Sequence, residues 1–306
     1  MKFGNLEVFA LSDGFFALDG GAMFGVIPRV FWQKTNPPDE RNRITLALRP
    51  LLVRTPEALV LVDTGIGDKQ DQKFKEIYRV NHSVHLLDSL RKAGFRAEDV
   101  SHVINTHLHF DHCGGNTILR KDRLSEQGVP AQVVPAFPRA KYCVQREEWQ
   151  TAIRPDVRSQ ASYRPENFLP VEQAGQLRLL DGKQELTPGV TVIKTGGHTR
   201  GHQLVVVESA GQKLVYWGDL IPTTSHINVP YIMGYDTMPL VTIEQKEQLL
   251  AQVVRERWLM CFEHDPHVAF ARLRKQGTGY LLEEPQTDDE QQLTDARLEP
   301  EVASNE

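Results

Sequence analysis

From Thr106 to Gly115 the chain reads Thr-His-Leu-His-Phe-Asp-His-Cys-Gly-Gly, so three imidazoles (His107, His109, His112) and one carboxylate (Asp111) fall within six residues. That density of nitrogen and oxygen donors, directly after the apolar pair Val103-Ile104, points to metal binding. If residues 103–106 form a buried strand, side chains two apart share a face, which places His107 and His109 on one ion. Asp111 and His112 then sit at the turn into a following helix and face a second ion, while Gly114-Gly115 let the backbone turn tightly. A His-rich surface loop is the plain alternative, and the rest of the chain must decide. Three further donors each follow an expected strand: His198 in Gly-Gly-His-Thr-Arg-Gly-His, Asp219 in Gly218-Asp219, and His264 in Glu263-His264-Asp265.

The elements that must position these donors alternate between strand and helix. Residues 6–11 and 15–18 read as an opening hairpin about Ser12-Asp13-Gly14. Met23, Phe24, Val26, Ile27, Phe31 and Trp32, punctuated by Gly25 and Pro28, follow neither period and make either a lid or a loop packed on the core. Residues 44–53 and 58–62 read as strands, the second ending at Asp63, which either caps the turn or supports a metal ligand. Residues 83–93 have helical apolar spacing. Residues 128–138 look irregular, 140–145 suggest a strand and 146–153 a helix, and 155–170 make an excursion over the active-site mouth. Residues 177–180, 190–194, 204–207 and 214–217 are short β-rich runs expected to form a second sheet; 243–257 reads as a helix and 258–262 as a final strand.

At 306 residues, with 40% hydrophobic and 25% charged side chains, the chain can bury one large α/β core. A net charge of −5 gives no general attraction to phosphate backbones, so nucleic acid is not an expected partner. The start of the chain is interrupted by Gly4, Asn5 and Glu7 before any apolar signal region forms, and no run reaches the roughly 18–20 apolar residues that span a bilayer. Cys113, Cys143 and Cys261 are too few for a disulfide scaffold, and Cys113 is expected to be a small buried thiol outside the site. Together these predict a cytoplasmic protein without a membrane partner. Residues 283–306 hold nine acidic residues against one arginine, so a hydrolase domain over 1–280 and an acidic, disordered tail over 281–306 are expected.

With seven donors in order, the chain resembles the metallo-β-lactamase superfamily, whose pattern is His-x-His-x-Asp-His, a later His, an Asp and a final His; the resemblance spans residues 5–272. It implies an α/β fold of the αββα sandwich type, two mixed sheets with outer helices. It further implies a first metal on His107, His109 and His198, a second on Asp111, His112 and His264, and Asp219 bridging the two. The implied cofactors are two divalent ions, Zn²⁺ first, although Mn²⁺, Fe²⁺ or Co²⁺ suit the same donors. The family's Gly-His-Thr motif falls on His198, leaving His202 to support a ligand. Two cations sharing one water would make a metal-bridging hydroxide near neutral pH, and Asp111 beside it is the candidate catalytic residue for passing a proton to the leaving group.

The run from Ile221 to Asp236, with Phe24, Phe31, Trp32 and Trp149, is expected to wall an apolar pocket for a small, mostly uncharged ester-like ligand. The stretch from His198 to Leu220 is similar to the branch containing methyl parathion hydrolases and quorum-quenching lactonases, which hydrolyse esters, lactones and phosphotriesters. Two departures stand out. Pro222 occupies the position, three after the bridging Asp, where those lactonases place a substrate-binding tyrosine, so His226, Tyr231 or Tyr235 must supply any such donor. Arg200 replaces the proline of Gly-His-Thr-Pro-Gly-His and is expected to face solvent. The expectation is a hydrolase of a small carboxylic ester or lactone with phosphotriesterase side activity; a homodimer is allowed. Alternatives are a glyoxalase II-like thioesterase, a phosphodiesterase or nuclease, and a non-enzymatic binding module, which lack respectively a glutathione patch, basic stretches and the loss of ligands that such a module would show.

Overall fold

Every residue of Leu59–Val62 is buried, yet Val60 and Val62 join one apolar cluster and Leu59 and Leu61 another. A strand buried on both faces must lie between layers, and its period of two divides its side chains between them. In the protein, a computed structural model that describes residues 1–120, 132–277 and 279–286, those layers are helix, sheet, sheet and helix.

The first sheet runs Lys2–Phe3, Leu6–Ala10, Leu51–Arg54, Leu59–Val62, His102–Ile104, Lys141–Gln145, Leu177–Leu180, antiparallel up to Leu59–Val62 and parallel beyond it. The second runs Gln184–Thr187, Val190–Lys194, Gln203–Ser209, Gln212–Tyr216, Leu259–Cys261, Phe270–Gln276, Gly279–Gln286, with one parallel pair, Gln212–Tyr216 beside Leu259–Cys261. Val53, Val60, Val62 and Ile104 of the first meet Val192, Val205, Val207 and Tyr216 of the second in a shared core. The opposite faces are covered by helices: Leu52, Leu61 and Val103 pack on Leu86 and Leu90 of Leu86–Lys92, and Leu204, Val206 and Val215 on Leu250 and Val253 of Pro239–Glu256. This is the αββα sandwich of mixed sheets expected from the sequence.

Several expectations are corrected. Leu6–Ala10 and Phe15–Asp19 do not form a hairpin; Phe15–Asp19 pairs with Arg43–Ala47 in a separate two-stranded sheet, because Asp13 turns inward and its carboxylate binds Ile66 N, Gly67 N and Leu86 N. The single strand expected over 44–53 is broken at Leu48-Arg49-Pro50, where proline has no N–H to continue a ladder, so its halves serve different sheets. Leu177–Leu180 belongs to the first sheet, parallel to Lys141–Gln145, and the second sheet starts instead with Gln184–Thr187. Leu259–Cys261 is not the last strand. Gly279–Gln286 runs into the expected tail, with Tyr280 and Leu282 on the core cluster behind it; residues 287–306 of that tail lie outside the described residues. Of the region expected to be irregular, Gln132–Pro135 pairs with Thr117–Arg120, and residues 128–131 lie outside the described residues.

Candidate metal centre and active site

Strand ends from both sheets deliver the donors to one edge of the sandwich. His102–Ile104 leads through Asn105 and Thr106 to His107, and the short helix Phe110–Cys113 follows at once, with His109 as its N-cap and Asp111 and His112 inside it. Val190–Lys194 leads to His198, Gln212–Tyr216 to Asp219 in the turn Gly218–Leu220, and Leu259–Cys261 to His264. Gly218 sits at φ 50, and a Cβ there would stand 2.9 Å from His202 Nε2 and from the Thr106 side chain, so only glycine lets this turn approach the His107 segment.

All seven sequence-derived donors are buried and brought together, in two groups: His107, His109, His198 and Asp219; then Asp111, His112 and His264. Asp219 faces both. Its Oδ2 lies 3.2 Å from His198 Nε2 and 3.9 Å from His107 Nε2, and its Oδ1 lies 3.3 Å from His264 Nε2 and 3.5 Å from His112 Nε2. His109 Nδ1 stands 3.1 Å from His198 Nε2, and His112 Nε2 stands 3.2 Å from His264 Nε2. Asp111 Oδ2 is 3.8 Å from the Nε2 atoms of both His112 and His264. Such separations suit ligands sharing a cation at about 2.0–2.2 Å from each. His107 Nε2 and Asp219 Oδ1 are buried with no hydrogen-bond partner, a cost that a cation would remove. The donor set therefore fits divalent metal.

Burial and the neighbouring imidazoles push His107 and His109 well below the usual histidine range, which leaves their lone pairs free for a cation. Burial acts the same way on His112, His198 and His264, but carboxylates prevail there. Glu263, Asp219 and Asp111 raise His112, Asp219 and Asp236 raise His198, and Asp219 raises His264 to about 9. Protons and a cation thus compete for the same nitrogens.

The donors' other atoms are held in turn. His198 Nδ1 donates to Asp236 Oδ1 at 2.9 Å, and His264 Nδ1 to the Ala47 carbonyl at 2.8 Å. His112 Nδ1 lies 3.1 Å from Asp63 Oδ2 and 2.9 Å from Glu263 Oε2. Asp63 also accepts from Thr106 N and Thr106 Oγ1, both at 2.7 Å, so it ties His112 to the Thr106 turn; it sits at φ 54, a strained conformation for a residue with a Cβ. His202 is committed behind the donors: its Nδ1 pairs with Thr195 Oγ1 at 2.7 Å and its Nε2 accepts from Asp219 N at 3.2 Å, while burial pushes its pKa down to about 3. Cys113 is a buried thiol bonded to Leu108 O.

Sequence reasoning missed Glu148. It is fully buried and accepts from Leu108 N at 3.0 Å, Tyr163 Oη at 3.0 Å and Thr199 Oγ1 at 2.5 Å, so one carboxylate holds the segments on which His107, His109 and His198 lie. Nothing local distinguishes it from Glu147, its exposed neighbour on the helix Arg146–Ile153. Glu263 and Asp236 were also without a role, although Glu263 could have been found from its place between a buried strand and His264.

A cavity of about 160 Å³ opens on His109, Asp111, His198, Asp219 and His264. Its walls are Leu18, Met23, Tyr78, Phe110, Met233 and Tyr235, and Arg158, Ala161 and Ser162 come from the excursion expected over the mouth. The expected aromatic wall is otherwise placed. Phe24 and Trp32 stack at 5.3 Å in the core beneath two short helices, Gly20–Phe24 and Arg29–Trp32, Phe31 is 54% exposed, and Trp149 packs edge-on to Phe168. Of the three candidate donors, His226 is spent on Thr223 Oγ1 and Met23 O, and Tyr231 packs against Phe24 outside the cavity lining. Tyr235 alone of the three lines the cavity. Arg200 is exposed, as expected, and the guanidinium at the metal cavity is Arg158.

The chain matches the model of the metallo-beta-lactamase superfamily over residues 50–299. It belongs to that superfamily and is a metal-dependent hydrolase of it. Among curated relatives it is similar to an N-acyl homoserine lactonase of Bacillus cereus, 26% identical over 238 residues that cover 73% of this chain and 83% of the relative. Among solved structures it is similar to a probable metal-dependent hydrolase from Staphylococcus aureus, with a TM-score of 0.82 and 30% identity over 94% of this chain and all of the other. It also shares its fold with AidC, a dizinc quorum-quenching lactonase in complex with a product, at a TM-score of 0.76 and 23% identity over 94% and 97% of the two chains. Among the described residues no helix is long and apolar enough to cross a membrane.

Proposed function

We propose that the protein is a binuclear metallohydrolase of small carboxylic esters or lactones, with phosphotriesters as a side activity. The observation that carries this reading is Asp219, whose two oxygens face two separate sets of donors across one carboxylate. On this reading His107, His109 and His198 hold one divalent ion, Asp111, His112 and His264 the other, and Asp219 joins them, with Zn²⁺ the first choice for imidazole and carboxylate ligands. Divalent ions held by these residues would supply a nucleophile from water near neutral pH and would polarise the substrate oxygen.

The chain's own residues do the rest. Asp111, at the cavity floor, moves the proton towards the leaving group. Tyr235 takes the role of the absent lactonase tyrosine and donates to the substrate carbonyl. Leu18, Met23, Phe110 and Met233 exclude water and bury the apolar part of the substrate, at about 25 cal/mol per Å² before ordering costs. The lactonase relatives favour a lactone among such substrates. The test is kcat/KM for an aryl acetate, an aryl hexanoate, a lactone, a phosphotriester and a bis-aryl phosphate with one metal-loaded preparation. Esters or lactones are expected to lead, and hexanoate to exceed acetate; a phosphodiester in first place refutes the reading and favours a phosphodiesterase.

A further inference from the structure

A separate set of metal-ligating side chains lies where residues 11–14, the loop over 63–67 and the start of the helix Leu86–Lys92 meet. Asp13 is 1% exposed there, and its carboxylate accepts from Ile66 N and Gly67 N at 2.9 Å and from Leu86 N at 2.8 Å. His82 and His85 bracket the turn before that helix, their rings 4.7 Å apart. His82 Nε2 is buried without a hydrogen-bond partner on a side chain 10% exposed, and it stands 3.8 Å from Asp13 Oδ2.

That separation exceeds the roughly 2.7–3.2 Å of a direct N–H···O bond. It equals the 3.8 Å between Asp111 and the two imidazoles of its group. One donor atom each of Asp13, His82 and His85 lies within 4.8 Å of the others. Ile66 N and Gly67 N occupy both acceptor positions of Oδ2 and Leu86 N one of Oδ1, so the position left for a cation is on Oδ1, and the 3.8 Å to Oδ2 marks only how near His82 comes to that carboxylate. A cavity of about 250 Å³, lined by Asp13, His85, Asp68, Asp88 and Arg91 among others, adjoins the set. Asp88 is paired with Arg91, and the Lys69 ammonium interacts with Asp68 and Asp13, so three carboxylates outnumber their two cations by one, and the cavity has room for water in the remaining coordination positions.

We propose that Asp13, His82 and His85 form a further cation site, for a borderline-soft divalent ion such as Zn²⁺ or Co²⁺. The ion braces structure rather than reacting: it locks the turn at 82–85 onto the carboxylate that holds Ile66 and Gly67, in the loop that begins with the His112-bonded Asp63.

The experiment is equilibrium dialysis of wild type, His82→Gln/His85→Gln and His85→Gln against excess Zn²⁺, with elemental analysis per chain and circular dichroism of each protein. The double variant is expected to bind one ion fewer than wild type, and its Co²⁺ absorption spectrum to lose one component. Equal counts in wild type and a folded variant overturn the proposal, and if the double variant does not fold, His85→Gln decides in the same way. The ions left in the variant report on the groups joined by Asp219, so failure of that assignment shows as a low count in the variant, independent of the difference.

Discussion

Glu148→Ala should weaken both the fold and the metal centre, although Glu148 is assigned to neither ion. Its carboxylate takes hydrogen bonds from Leu108 N, Tyr163 Oη and Thr199 Oγ1, and all four residues are buried. Burial pushes its pKa above the usual carboxylate range, opposed by those bonds, so removing it also relieves some desolvation cost. A hydrogen bond to a charged acceptor contributes about 1.5–3 kcal/mol, and the three donors left without a partner outweigh the relief, which puts the loss at about 3–5 kcal/mol. Leu108 lies between two of the proposed ligands and Thr199 follows a third, so their slackening should lower metal affinity about 10 to 100-fold, as losses of ligand-supporting groups do. Glu148→Gln keeps the volume and at least one acceptor and should cost about 1–2 kcal/mol. Urea unfolding of the metal-free proteins and chelator competition for Zn²⁺ measure the two effects. A Glu148→Ala protein within about 1 kcal/mol of wild type and with unchanged affinity would refute the reasoning.

His198→Ala should reduce hydrolysis far more than His202→Ala, and equal losses in kcat/KM would mean that the ligand lies at His202. Asp219→Ala should lower the ions retained in the two main groups, and an unchanged elemental count would remove its bridging role. Tyr235→Phe should lower kcat by about 10-fold or more for a carboxylic ester, since oxyanion donors are worth at least that much; a larger loss in Tyr78→Phe would move the role to that neighbouring wall residue. Neighbouring carboxylates raise His264 to about 9 and lift His112 and His198 above the usual histidine range, so without metal these imidazoles hold protons more strongly than free histidine. Zn²⁺ binding at neutral pH should therefore release protons, and apparent affinity should climb as pH rises towards about 9. Calorimetry in buffers of different ionisation enthalpy reads this, and a buffer-independent heat would contradict it.

The seven donors could be found from the chain alone because they fall in short His- and Asp-bearing motifs just after short apolar strands, and the order of strand ends along a sheet edge survives in sequence as the order of motifs. The layers were likewise legible where apolar residues follow one period, as in the helices over 83–93 and 243–257. What sequence could not supply was any relation set by partners far along the chain. A four-residue β-rich run carries no mark of which sheet will pair with it, so Leu177–Leu180 was misplaced, and the break at Pro50 that sends two halves of one run to different sheets becomes meaningful only with both partners present. Aromatic residues near the site looked like pocket walls, because propensity registers that a ring is apolar and not which way it points; tertiary packing put Phe24 and Trp32 under the site and Tyr235 in it. Glu148, 40 residues from Leu108 and 51 from Thr199, acquires its role only when folding brings two ligand segments against one carboxylate that is too deep for water to serve them.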